Sequence, residues 1–302
     1  MKKFVLAFLI STNLFAQTDD CKCDYIQDYY QLVYQAQISY LQNDFDAAYD
    51  LLKQAEQNCE LLNQNGIEEI SILVKVSLKK EKYSDFTFYL EKLLNQGYNI
   101  EYFENHPDFI GITNINSWDE LKERSLQIYD TWYAKLNLDL RDELAQMISE
   151  DQRVRMGKSY YDEEMREIDD YNEKRFKEIL AEFGYPDEQV IGNYNIGEKS
   201  VNPRILAFHI KDIEYFKPLF LEYVRCGKAP ADLYANLIDS HNRKNGIFTY
   251  GIYSNVTPEQ IENFENLDER RINAGLRPYE MEKLYQKLMQ EKIQQLIEMS
   301  KN

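Results

Sequence analysis

The chain has 302 residues, enough for about two domains, with 35 Lys and Arg against 52 Asp and Glu for a formal net charge of -17. That balance disfavours nucleic acid as a partner, because phosphate binding needs cationic side chains that release counterions. Hydrophobic residues at 44% and aromatic residues at 14% exclude a disordered chain, and only 11 Gly and 7 Pro leave too few turns for an all-β fold.

The first element is a leader. Lys2 and Lys3 precede the apolar run 4–10, a polar step at 11–13, and Leu14-Phe15-Ala16 before Gln17. This is the charged start, short apolar stretch and small-residue cleavage point of a signal peptide spanning 1–16, cut near Ala16. It predicts export to the periplasm or beyond. The run is too short to span a bilayer, and no later segment is apolar enough to do so, so the mature chain is expected to lack a transmembrane segment. Residues 17–20 lack the small, apolar pattern that would mark Cys21 for lipid attachment.

Four cysteines follow: Cys21, Cys23, Cys59 and Cys226. With one Cys-x-Cys pair and three His in the chain, neither a zinc site nor a redox Cys-x-x-Cys is present, and no metal is expected. If residues 25–41 and 45–62 form an antiparallel helical hairpin turning near Asn43-Asp44, Cys23 comes to lie beside Cys59. Bridging them would close a loop of roughly 37 residues and stabilise by about 3–4 kcal/mol in the chain-entropy model. Cys21 competes for the same partner.

Residues 24–135 carry helical periodicity. Leu32, Ala36 and Tyr40 line one helix, while Phe45, Ala48, Leu52 and Ala55 line the next, at spacings of three and four. The small residues allow close approach of the two helices. This stretch resembles the tetratricopeptide repeat, with its small residue, aromatic and two Ala at fixed positions. A second, degenerate unit over 70–96 aligns Tyr83 with Phe45 and Leu90 with Leu52, with Phe86 and Leu93 replacing the two Ala. A third stretch, from His106-Pro107-Asp108-Phe109 to Trp118-Asp119-Glu120-Leu121, resembles the end of such an array and runs into a capping helix through Leu126 and Trp132. The resemblance implies a concave groove that binds a protein or peptide partner.

Residues 136–298 are expected to form a helical domain with a minor β hairpin. Helices are predicted at 137–155, 168–183, 203–225, 230–241 and 258–298, the last broken at Gly275 and Pro278. Breakers make 184–202 non-helical, and the β-prone run 246–253 is the expected hairpin or strand. Several apolar stripes end in polar groups. Leu140, Leu144 and Met147 lead to Asp151, with Gln152 and Arg155 continuing the neighbouring row. Ile205 and Leu206 lead to His209, Leu237 and Ile238 place His241 on their face with Asp239 close by, and Leu267 leads to Arg270 and Arg271. Buried charges must pair, so Asp151, His209, Asp239 and one of the Arg residues are expected to share a cluster.

The same region carries a second resemblance. The run Leu140 to Leu144, Asp151-Gln152-Arg153-Val-Arg155, Asn172, Gly184-Tyr-Pro186, His209, Ala235 to Asp239, Tyr250-Gly251 and Arg270 to Pro278 is similar to an uncharacterised bacterial domain family, commonly exported and often preceded by helical repeats. Phe208, Thr249 and Ser240 depart from that family's pattern. The resemblance implies domain limits and candidate residues, and it carries no activity.

No cofactor motif emerges. Gly192-Asn-Tyr-Asn-Ile-Gly197-Glu198-Lys199-Ser200 nearly spells a phosphate-binding loop, but Glu198 would aim a carboxylate into the cradle. Serine-nucleophile elbows, zinc-protease helices and calcium loops are missing. The acidic run 160–171 reads as a solvated face. Two functions remain: an exported interaction or scaffold protein, and an envelope hydrolase. In the latter His209 acts as general acid or base, Asp151 or Asp239 orients it, and Arg270 or Arg271 binds an anionic group, with Gln152, Arg155 and Tyr250 as further binding candidates. The hydrolase requires these side chains in hydrogen-bond reach around an open pocket. The interaction protein requires an uncovered concave face on residues 25–100.

Overall fold

The computed structural model describes residues 21–64, 66–158, 160–196 and 199–299. The expected signal peptide lies outside the described residues. The chain is mainly α with a minor β element.

Two helical hairpins open the fold. After the short helix α1 (Tyr25–Asp28) come α2 (Tyr30–Leu41) and α3 (Phe45–Asn58), then α4 (Glu69–Lys79) and α5 (Tyr83–Leu94). Both hairpins turn the same way. Asn43 and Glu81 take the left-handed conformation at φ 63° and 56°, and the next amide returns to the preceding helix: Asp44 N donates to Ser39 O at 2.8 Å and Lys82 N to Ser77 O at 2.9 Å. Asp44 also caps α3 by accepting from Ala47 N at 3.1 Å. Ala36, Ala48, Leu52 and Ala55 are fully buried between the first pair, and Phe86, Leu90 and Leu93 hold the corresponding positions in the second. Larger residues replace the alanines there without loss of burial.

Helix α6 (Ile100–Asn105), two 3-10 turns and α7 (Trp118–Tyr133) complete this part. The second part contains α8 (Leu138–Arg155), α9 (Glu163–Phe183) and α10 (Glu188–Ile191). The antiparallel strands β1 (Asn195–Ile196) and β2 (Lys199–Ser200) follow, then α11 (Arg204–Ala207), α12 (Ile213–Arg225), α13 (Leu233–Asn242), α14 (Leu267–Asn273) and α15 (Tyr279–Met299).

Three expectations need correction. The helix predicted over 203–225 is two helices, because Glu173 Oε2 accepts from Lys211 N at 2.6 Å and Asp212 N at 3.1 Å, and Asp212 caps α12 by accepting from Tyr215 N at 3.3 Å. The β hairpin lies at 195–200 instead of 246–253. The latter run forms a single parallel bridge between Phe248 and Ile261, because the Asp239 carboxylate takes the amides a hairpin would use. The segment 184–202, expected to be non-helical, contains the one-turn helix α10 between its breakers, capped by Asp187, which accepts from Gln189 N at 2.9 Å and Val190 N at 3.1 Å. The break at 274–278 between α14 and α15 falls where Gly275 and Pro278 place it.

The two parts are joined covalently and by packing. Cys23 is bonded to Cys59, with Cα atoms 5.8 Å apart, as the hairpin geometry predicts. Cys21 does not compete for Cys59; it is bonded to Cys226, 205 residues away, with Cα atoms 5.0 Å apart. Tyr34 Oη donates to Gly275 O at 2.7 Å and Gln31 Nε2 to Leu276 O at 2.9 Å. The Arg277 guanidinium lies 4.4 Å from the Tyr34 ring and 3.8 Å from that of Tyr285. Helix α15 runs against α2. The face of α2 expected to line an open groove is therefore covered by the C-terminal part. Among the described residues, no helix is long and apolar enough to cross a membrane.

Candidate binding site at the junction of the two parts

The polar groups at the ends of the apolar stripes form two clusters, not the single one expected. In the first, Asp151 is 1% exposed. Its Oδ1 pairs with Arg155 Nη1 at 2.9 Å, and its Oδ2 accepts from Gln152 Nε2 at 2.7 Å. Arg155 also pairs with Asp169 of α9, and Tyr161 Oη donates to Asp169 Oδ2 at 2.9 Å. His209 Nε2 stands 3.8 Å from Asp151 Oδ2, beyond hydrogen-bond reach, on a side chain 32% exposed. Burial pushes the Asp151 carboxyl up, opposed by the nearby His209 and Arg155. Burial pushes the His209 imidazole down, opposed by Asp151.

Asp169 and Tyr161 were missed by the stripe argument. The signal for Asp169 lies on α9, where buried Met165, Asp169, Asn172 and Phe176 step by four, three and four.

The second cluster builds a loop. The buried Asp239 carboxylate accepts from Thr249 N at 2.8 Å, Tyr250 N at 2.9 Å and Ile252 N at 3.1 Å. Burial raises its pKa against the pull of those amides. Arg270 donates to Thr249 O at 3.3 Å and Asn263 O at 2.9 Å. Arg271 donates to Tyr250 O at 2.7 Å and Arg277 O at 2.6 Å. Tyr250 is buried edge-to-face on Tyr234. Each buried carboxylate thus finds its donors locally, which is why Asp151 and Asp239 do not converge.

The near phosphate loop is also occupied. Arg141, 4% exposed, donates to the carbonyls of Ile191 and Asn193, both at 2.9 Å, and of Tyr194 and Lys199, both at 3.0 Å. Carbonyls turned toward a guanidinium repel a phosphate, which needs amide hydrogens instead.

A cavity of about 380 Å³ lies at the seam, with Tyr34 and Ile67 on the hairpin side and Arg204, Tyr253, Arg271 and Arg277 on the other. Two of its cations are neutralised: Asp232 accepts from Arg204 Nη1 at 2.6 and 2.7 Å, and Glu282 from Arg277 Nη1 at 2.9 Å. Arg271 is not. It is 3% exposed, and among the described residues its hydrogen bonds run only to backbone carbonyls. Burial lowers its pKa, with Glu282 opposing at longer range. Arg277 Nε is buried with no partner. Sequence reading singled out Arg271 and missed Arg204, Asp232, Arg277 and Glu282, whose segments meet only in the folded chain.

Comparison with protein-family models, with curated proteins and with solved structures gives no match to this chain.

Proposed function

We propose that this is an exported binding protein that holds a protein or peptide partner at the junction cavity, with the helical-hairpin region supplying one wall. The observation that carries this reading is the cavity itself: a recess of about 380 Å³ containing a buried cation that, among the described residues, makes no direct contact with a carboxylate. Its walls come from both parts of a chain cross-linked by two disulfides, so little ordering is left to oppose binding. Export is supported by the leader and by the disulfides, which persist in oxidising compartments.

The hydrolase reading rests on the approach of His209 to Asp151. His209 Nε2 stands 3.8 Å from Asp151 Oδ2, and Arg155 and Gln152 already bond that carboxylate, so the imidazole is not oriented by it in this structure. The covered face of α2 counts against a partner held in a groove of the helical hairpins, so the binding reading rests on the junction cavity alone. A photo-crosslinking residue at Ser254, exposed on the cavity rim, tests it against one at Glu120, exposed on α7. The reading predicts adducts with exported proteins from position 254 and none from position 120. Equal yields from both would refute it.

A further inference from the structure

We infer that the ligand group entering the junction cavity is a carboxylate of an acidic peptide, docked on the Arg271 guanidinium; this rests on the cavity being the partner site. The argument is one of charge balance. A chain of net charge -17 lines this recess with Arg204, Arg271, Arg277 and Lys283 against Asp232 and Glu282. The Arg204–Asp232 and Arg277–Glu282 pairs cancel, and Lys283 meets Glu280 at 3.3 Å on the surface. Arg271 is left, among the described residues, without a carboxylate in hydrogen-bond contact, and only Glu282, Asp239 and Asp268 act on it at longer range. A buried cation so held gains from a directly bonded ligand anion.

Neutral carbonyls of Tyr250 and Arg277 fix the guanidinium on its Nη1 and Nε sides. Nη2 donates to no described group and is the edge left for a ligand oxygen. With Glu282, Asp239 and Asp268 already acting on the guanidinium at longer range, a carboxylate adds one negative charge to the recess where a phosphate dianion would add two.

Calorimetric titration of the oxidised full chain with triglutamate, triglutamine and inorganic phosphate tests the assignment. Triglutamate is expected to bind saturably, about tenfold more weakly at 200 mM than at 50 mM salt, with triglutamine inert and phosphate weaker. Arg271→Gln should weaken triglutamate at least tenfold. Because Arg271 also holds backbone carbonyls, Ser254→Glu serves as a second variant: it adds a negative charge at the rim, removes no hydrogen bond, and should weaken binding equally with an unchanged melting temperature. Equal binding of triglutamine, tighter binding of phosphate, or full affinity in Ser254→Glu would each overturn the proposal. Triglutamate binding without partner crosslinks at position 254 would sink the partner reading alone; crosslinks without triglutamate binding would sink the carboxylate alone.

Discussion

His209 carries no hydrogen bond to Asp151, and its environment disfavours the imidazolium. A histidine whose folded pKa is depressed contributes stability that is present above its ordinary value of about 6.5 and is lost as the pH falls toward the folded value. His209 therefore contributes a loss of melting temperature between about pH 7.5 and pH 5, as does His106, depressed by burial and Lys75. Against these stands a gain from Asp187 and Glu188, whose carboxyls burial pushes up to about 6 and about 7. His209→Gln should remove its share, so that the variant loses less, or gains more, melting temperature than the parent over that range. An acid slope identical in the variant and the parent would show that this histidine is not destabilised on protonation. Asp151, Arg155 and His209 were legible as polar intrusions on apolar stripes. Their chief partner, Asp169, belongs to another helix, and pairing across helices is not written in the periodicity of either.

At the level of elements, one carboxylate decides the course of a segment. The run 246–253 has the composition of a strand, yet Asp239 intercepts the amides of residues 249, 250 and 252, and Arg270 and Arg271 take carbonyls from the same stretch. Backbone groups so engaged cannot form a ladder. Asp239→Ala leaves three amides to find new partners and should cost about 2–4 kcal/mol, with faster amide exchange concentrated in residues 248–252. A loss below about 0.5 kcal/mol would mean that the loop holds its shape without the carboxylate. The hairpins were easier to read. The turn near Asn43-Asp44 and the alignment of Tyr83 with Phe45 at the starts of α5 and α3 are local properties, and these survive translation from sequence to fold. By contrast, the single helix expected over 25–41 is divided at Tyr29, and the one over 45–62 ends at Asn58.

For the whole molecule, the decisive contacts are those between distant segments. Four cysteines permit three pairings. The hairpin argument selected Cys23–Cys59, but nothing local pointed from Cys21 to Cys226. That bond closes a separation of 205 residues, worth up to about 5 kcal/mol in the chain-entropy model. The double variant Cys21→Ser, Cys226→Ser should accordingly unfold at lower denaturant concentration than the parent. An unchanged midpoint would show that packing alone joins the two parts. The same long-range closure explains why the junction cavity was not anticipated: Tyr34 comes to face Arg204, Tyr253, Arg271 and Arg277 across one cavity only after α2 has packed against the C-terminal part.

The most direct measurement of the central claim is hydrogen–deuterium exchange of the oxidised full chain, free and saturated with triglutamate. Binding at the junction predicts slowed exchange in residues 250–256 and 274–283, with α3 and α5 unchanged. Protection confined to α3 and α5, with the junction segments exchanging as in the free chain, would contradict it.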